Sequence, residues 1–381
     1  LEGIPRSYDA SSLFYGRDVA PIYEVILPMT SSHRCIDRVF QYYKNFIVDR
    51  QHLRFKDNDI TVMEWIGHFR PSQVRVTPLV ENLESQLNVH NIIETYLSDK
   101  DLTEQRVFLA RSDPAMNYGT LGAVIANKIA LRRLEGVQER TGVKLYPIIG
   151  AGSAPFRGHL SPGNVDSVLA EYPSAYTHTV QSAFKYDWPL DDVRNAIKKI
   201  RQHEQGPADE IDEEGTLEII DRYAAAYQAE VQTLAPMINR IAAHSPRRRK
   251  RKKHTGLFGY ARDMGGVTLP RAITFTSSLY AMGLPPELLG ISALSKDDFA
   301  YLGTFYRGMK HDLETALGYL DPDAGEIEAA VAKDAERLGL ERRPVDEHIA
   351  YTRKIRASLE AKSEGIGDLI VMAGHVRRFL G

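Results

Sequence analysis

Five apolar runs, each followed by a segment of helical periodicity, constrain this chain more than any other feature of it. They cover residues 22–29, 74–81, 106–113, 145–149 and 176–184. After the first run and Thr30-Ser31-Ser32, residues Cys35, Ile36, Val39, Phe40 and Tyr43 recur at helical spacing, which reads as strand followed by capped helix. A helix is expected around 89–97 after the second run. A long one follows the third, through Leu121, Val124, Ile125, Leu131 and Leu134, and stops near Gly142. Such alternation implies parallel strands joined by right-handed helical crossovers, either a closed barrel or a doubly wound open sheet. Both architectures place function at the carboxyl ends of the strands. That rule puts Glu81, Asp113, Arg157 and Gln181 on one face. Two carboxylates, an arginine and an amide there suit a hard divalent cation and an anionic substrate. Taken singly each has a plainer reading: Glu81 and Asp113 as caps of the following helices, Gln181 as a partner for backbone.

The fourth run leads into Gly150-Ala151-Gly152-Ser153-Ala154-Pro155-Phe156-Arg157-Gly158. Glycines let backbone N–H groups approach a ligand closely, and a guanidinium offers a planar fork to phosphate, carboxylate or bicarbonate. In outline this is an oxyanion site, with an ordinary strand-to-loop turn as the alternative. Ser161 followed by Pro162 reads as the start of the next helix.

Beyond about residue 190 the chain turns mainly helical. Helices are expected around 193–200, 217–243 with Pro236 as a kink or break, 299–320, 326–338, 349–359 and 369–379. Pro285-Pro286 and residues 321–325 punctuate them. The expected organisation is a strand-helix part, 1–190, carrying the active site, and a helical remainder, 191–381, with a basic loop at 245–271, packed as one integrated unit. Within that loop Arg247 to His254 are eight consecutive basic residues. They would suit a polyanion patch, a solvated loop, or a lid over a multiply charged small substrate.

Composition narrows the classes. A formal net charge of -2 with 26% charged residues describes a soluble chain with no global nucleic-acid signature. One cysteine, Cys35, rules out an intramolecular disulfide and a cysteine zinc cluster, and fits a reducing compartment, by default the cytoplasm. No apolar run approaches a membrane span. Walker A, His-Glu-x-x-His and Gly-x-Ser-x-Gly sequences are absent, and the glycine turn lacks the third glycine of a dinucleotide fingerprint.

The strand-end motifs together resemble archaeal-type phosphoenolpyruvate carboxylase. The matching stretches are Glu2-Gly3-Ile4-Pro5, Glu24-Val25-Ile26-Leu27-Pro28-Met29, Pro78-Leu79-Val80-Glu81, Ala110-Arg111-Ser112-Asp113-Pro114-Ala115-Met116-Asn117-Tyr118, the glycine turn through His159, Val180-Gln181-Ser182-Ala183-Phe184-Lys185-Tyr186, Gly256-Leu257-Phe258-Gly259-Tyr260 and Leu269-Pro270-Arg271-Ala272-Ile273. The resemblance implies an α/β fold, a TIM-like (β/α)8 barrel with extensive additional helices, assembled as a homotetramer. It implies Mg²⁺- or Mn²⁺-dependent carboxylation of phosphoenolpyruvate by bicarbonate to oxaloacetate and phosphate. Glu81 and Asp113 take the places of the metal carboxylates. Arg157, Arg271 and Arg247 match catalytic arginines, with Gly150, Gly152, Ser153 and Gln181 on the substrate side. Lys310 matches a lysine of an effector site for aspartate or malate.

Departures from the family pattern are expected to matter. The catalytic histidine in a Thr-x-His-Pro context and an early-strand arginine are both missing, and the chain opens on Leu1 rather than Met. The first barrel strands are therefore expected to lie outside this chain. Ile149-Gly150-Ala151 stands where other forms have His-Gly-Arg, and Phe379 stands at an effector asparagine, which puts aspartate inhibition in question. Two rival readings remain: another metal-dependent barrel enzyme acting on phosphoenolpyruvate or 2-oxo acids, and a nonenzymatic polyanion binder.

Overall fold

In a computed structural model, residues 1–246, 262–264 and 266–381 are described. The chain divides into two units, Leu1–Leu109 with Arg133–Ile148, and Ala110–Arg132 with Ile149–Gly381. Arg247 and the rest of the basic run lie outside the described residues.

The first unit holds β1 (Glu24–Leu27), β2 (Arg75–Val80), β3 (Glu104–Ala110, its last residue in the second unit) and most of β4 (Lys144–Gly150), in that order. β1 pairs with β2 and β2 with β3 in parallel, with Val25 opposite Val76 and Leu79 opposite Phe108. Val76, Val80, Val107 and Leu109 are fully buried, as are Ile36, Tyr43, Ile93 and Tyr96 of the crossover segments. β-branched and aromatic side chains in these runs fit a pleated surface covered by helices. Asn82 caps the short helix after β2, accepting from Ser85 N at 2.7 Å, so the capping role is not Glu81's. β1 has only β2 beside it among the described residues, so the sheet is open there rather than closed.

In the second unit β5 (Thr177–His178) lies beside the end of β4, and Thr179 N donates to Ile149 O at 3.0 Å. The fifth run was expected to be a strand over 176–184; only two residues are. Thr179 turns its hydroxyl onto the Ala151 backbone, and a π-helical turn over Ala183–Asp187 takes up the rest. The helix expected from Ser161 begins instead at Val165, because Asn164 N closes a turn onto Ser161 O. The helix Glu213–Ala242 continues through Pro236 without a break. The stretch 299–320 forms two helices, Lys296–Leu302 and Met309–Leu317. The first of these starts on a reciprocal Ser295–Asp298 capping box.

Two buried features fix this unit. Lys128, 1% exposed, ion-pairs with Glu171 and Asp209 at 2.7 Å each, and Glu171 also accepts from Gly308 N at 2.7 Å. That anchors the start of the Met309–Leu317 helix. The long helix Ser112–Thr141 breaks at Gly119, with φ 77° and ψ 170°. A Cβ there would stand 2.5 Å from the Tyr223 hydroxyl. No described helix is long and apolar enough to cross a membrane.

Gly119→Ala therefore forces both an unfavourable φ and an overlap. The variant should lose about 2–3 kcal/mol and its thermal midpoint should drop by roughly 5 °C. An unchanged midpoint in differential scanning calorimetry would show that neither the backbone nor Tyr223 resists a methyl group.

Candidate active site

The glycine turn is a closed loop held by its own backbone. Gly152 N donates to Arg157 O at 2.6 Å, Leu160 N to Gly152 O at 2.8 Å, and Arg157 N and His159 N to Ala154 O at 2.9 and 3.0 Å. Ala151 N is held by the Thr179 hydroxyl at 2.9 Å. Pro155–Arg157 form one 3-10 turn, and Gly158 at φ 110° reverses the chain where a Cβ would press on Ala151. Gly152 is needed for contact rather than conformation: a Cβ there would lie 2.9 Å from the Arg157 guanidinium carbon.

This folding buries Arg157 to 5% exposure and directs its guanidinium onto partners on three other segments. Nε donates to Ser112 Oγ at 3.2 Å, Nη1 to Gly381 O at 2.9 Å, and Nη2 to Gln181 Oε1 at 2.7 Å. Arg157 and Gln181, two of the residues expected at strand ends, thus meet in the second unit. Ser112 precedes Asp113, which is half-buried in the first turn of its helix, where the macrodipole favours a carboxylate. Gln181 does not merely satisfy backbone; it orients the arginine. Ser153 is 3% exposed and its hydroxyl has no hydrogen-bond partner among the described residues. Gly150 closes β4 just ahead of the loop. Arg271 is exposed and stands at the N-cap of the helix Ala272–Met282. Gly381 packs so tightly against that helix's first turn that a Cβ on it would meet Ile273 O at 2.2 Å. Arg157 and the first turn of the helix that follows Arg271 are therefore linked through Gly381.

Two expected residues stand elsewhere. Glu81, half-buried at the end of β2, accepts from Met29 N at 2.7 Å within the first unit. Lys310 is 58% exposed and reaches Glu314 at 3.6 Å.

The neighbours of Lys310 carry a feature that the sequence concealed. Asp312 accepts from Tyr306 Oη at 3.0 Å and bonds the Nδ1 of His159, whose ring stacks on His311 at 5.6 Å. His159 takes φ 55°, which turns it out of the loop toward Asp312. The pair borders a cavity of about 240 Å³ lined also by Arg111, Asn164 and Arg307. Arg111, 1% exposed, donates to Phe156 O at 3.0 Å. His159 and Asp312 are separated by 153 positions, so no local pattern could have joined them.

Among the described residues no group of three or more His, Cys, Asp or Glu is arranged to hold a metal. Mg²⁺ does not require one, since it is commonly held by one or two carboxylates and completes its shell with water and substrate oxygens. Asp113 in the second unit and Glu81 in the first each carry oxygen donors of the kind such an ion takes.

A family model for phosphoenolpyruvate carboxylase matches residues 1–381. A phosphoenolpyruvate carboxylase of Methanospirillum hungatei is 49% identical over all of this chain and 79% of its own length. One of Methanothermobacter thermautotrophicus is 50% identical with the same coverage, and one of Pyrococcus abyssi is 43% identical over 78% of its length.

The Gln181 contact yields a stability test. Gln181→Met leaves a buried guanidinium N–H without its acceptor and should cost about 1–3 kcal/mol. Gln181→Glu, which restores an oxygen at the same place, should recover most of the loss in thermal denaturation. Equal midpoints for parent and Gln181→Met would mean that the bond contributes nothing.

Proposed function

The chain belongs to the phosphoenolpyruvate carboxylase family, and from that membership we propose that it carboxylates phosphoenolpyruvate with bicarbonate, giving oxaloacetate and phosphate. One observation supports this site for the chemistry: Arg157 is held by Ser112, Gln181 and Gly381, so three matched motifs converge on one guanidinium. In the reaction a bicarbonate oxygen attacks phosphorus, and the bond from phosphorus to the enol oxygen breaks. Carboxyphosphate and the enolate of pyruvate result. Carboxyphosphate then gives CO₂ and phosphate, and the enolate carbon captures CO₂.

Arg157 has the part of binding bicarbonate and stabilising charge on the transferring phosphoryl group. A buried, preoriented donor does this without reorganising as charge develops. Backbone bonds at Gly152 and the Gln181 amide fix its fork, and the Ser153 hydroxyl offers a further polar contact to substrate. Arg271 and Arg247 are assigned by motif as further phosphate or carboxylate donors. Mg²⁺ or Mn²⁺, assigned by motif to Asp113 and Glu81, would supply Lewis-acid stabilisation of the enolate oxygen. We assign the parallel sheet with helical crossovers to the (β/α)8 barrel architecture and the assembly to a homotetramer, both on family grounds. The single-cysteine composition favours the cytoplasm. Lys310 is the proposed effector lysine.

Oxaloacetate formation, coupled to malate dehydrogenase, tests this reading on the full-length protein with Mg²⁺. Arg157→Ala should lower kcat by roughly 10²–10³-fold, the loss found on deleting one oxyanion donor. Asp113→Asn should remove activity and its Mg²⁺ dependence while the circular dichroism spectrum stays the same. A parent that makes no oxaloacetate, or an Arg157→Ala variant with parental kcat/KM, would sink the assignment.

A further inference from the structure

Pro285 and Pro286, which read in the sequence only as punctuation, set the backbone of a buried acid. Pro286 opens a 3-10 turn over Pro286–Leu288, and Glu287 within it is 0% exposed. Glu287 Oε1 accepts from Phe156 N at 2.6 Å and from Tyr280 Oη at 2.9 Å. Oε2 is buried and has no hydrogen-bond partner among the described residues. Phe156 immediately precedes Arg157, and its carbonyl accepts from Arg111 Nη1 at 3.0 Å. Both polar groups of this residue are thus gripped by buried side chains, an acid on the N–H and a guanidinium on the carbonyl. A glutamine at 287 would accept the same two bonds without a buried charge, so an acid is the costlier choice for a purely structural post.

We propose that Glu287 is a positioning residue for the carboxylation: its carboxylate clamps the Phe156 N–H and so holds the glycine loop in the form that presents Arg157. The inference rests on the carboxylase reading of that loop. Several groups face Glu287. They are the Tyr280 hydroxyl, with the Arg377 guanidinium 4.8 Å from the centre of the same ring, the phenols of Tyr227 and Tyr319, and the Asp312 carboxyl. Burial, the largest influence, pushes the Glu287 carboxyl up to about 7; its own backbone N–H and then the bonds from Phe156 N and Tyr280 oppose this, and Asp312 adds to it. A hydrogen bond to an ionised acceptor is roughly twice as strong as one to a neutral acceptor. The clamp is therefore tightest above about pH 7 and loosens as pH falls through it. Folding follows the opposite sign. A carboxyl raised above its ordinary 4.5 favours the folded state fully below that value and loses this contribution as pH rises through about 7.

The test uses the parent protein with Glu287→Gln and Glu287→Ala. It follows kcat and KM from about pH 6 to about pH 8.5, with amide hydrogen exchange of the peptide 151–158 over the same range. The parent should show an acid limb in kcat with a midpoint near neutrality. Glu287→Gln should be flat, at the parent's low-pH rate, with KM little changed and a higher thermal midpoint than the parent above neutrality. Glu287→Ala should lose kcat and exchange the loop amides at least roughly tenfold faster. A Glu287→Gln variant that keeps the parental acid limb, or a Glu287→Ala variant with parental exchange, overturns the clamp. If Glu287→Ala does not fold, the acid limb of Glu287→Gln decides. If the parent makes no oxaloacetate at any pH, the carboxylase reading fails instead, and loop exchange against pH then decides the clamp by itself.

Discussion

A guanidinium withdrawn from water needs an acceptor for each of its donors, and the second unit is shaped by meeting that need at Arg157. A buried cation left short of acceptors costs several kcal/mol. Three of the bonds that prevent this come from positions far apart in sequence: a hydroxyl at the head of one helix, an amide beyond β5, and the carbonyl of Gly381. Each of those segments must therefore be in place before the arginine can be. The glycines follow from the same demand, because the guanidinium occupies the space that a side chain at 152 would take.

Arg377 meets the demand at its two terminal nitrogens, while its Nε has no hydrogen-bond partner among the described residues. It donates to His348 Nε2 at 2.7 Å and to Leu380 O at 2.9 Å, and lies over the rings of Tyr280 and Phe379. Burial drives His348 down to about 2, with the Arg377 charge adding to the effect, so the imidazole remains a neutral acceptor at any ordinary pH. The consequence reaches the loop. Arg377 pins Leu380, Leu380 leads directly to Gly381, and Gly381 supplies one of the acceptors for Arg157.

Much of this was legible in the sequence, for reasons that differ from element to element. The first four strands and the helix 112–141 announced themselves because buried parallel strands and crossover helices leave long apolar patterns. The glycine loop was legible because its chemistry is local. β5 was overextended because Thr179, an ordinary strand residue by type, spends its hydroxyl on the Ala151 backbone. Asp312 and Glu287 escaped notice since their partners lie 153 and 131 positions away, and a lone acid in an apolar stretch has no spacing to betray it. Gln181 was expected on one face with Arg157, and its bond to the guanidinium was unseen.

The distribution of acceptors separates structural cations from those aimed at a ligand. Lys128, Arg307 and Arg353 sit on carboxylates, which cancel their charge over short distances and leave them as braces. Around the glycine loop, hydrogen bonds to uncharged oxygens include those of Arg111 to Phe156 O and of Arg157 to Ser112 Oγ and Gln181 Oε1. Neutral acceptors orient a guanidinium and leave its field directed outward, which is what stabilising a transferring phosphoryl group requires. Glu287 reaches the loop through the backbone of Phe156 instead of through the arginine. It can therefore tighten the loop from behind without taking a place on the guanidinium.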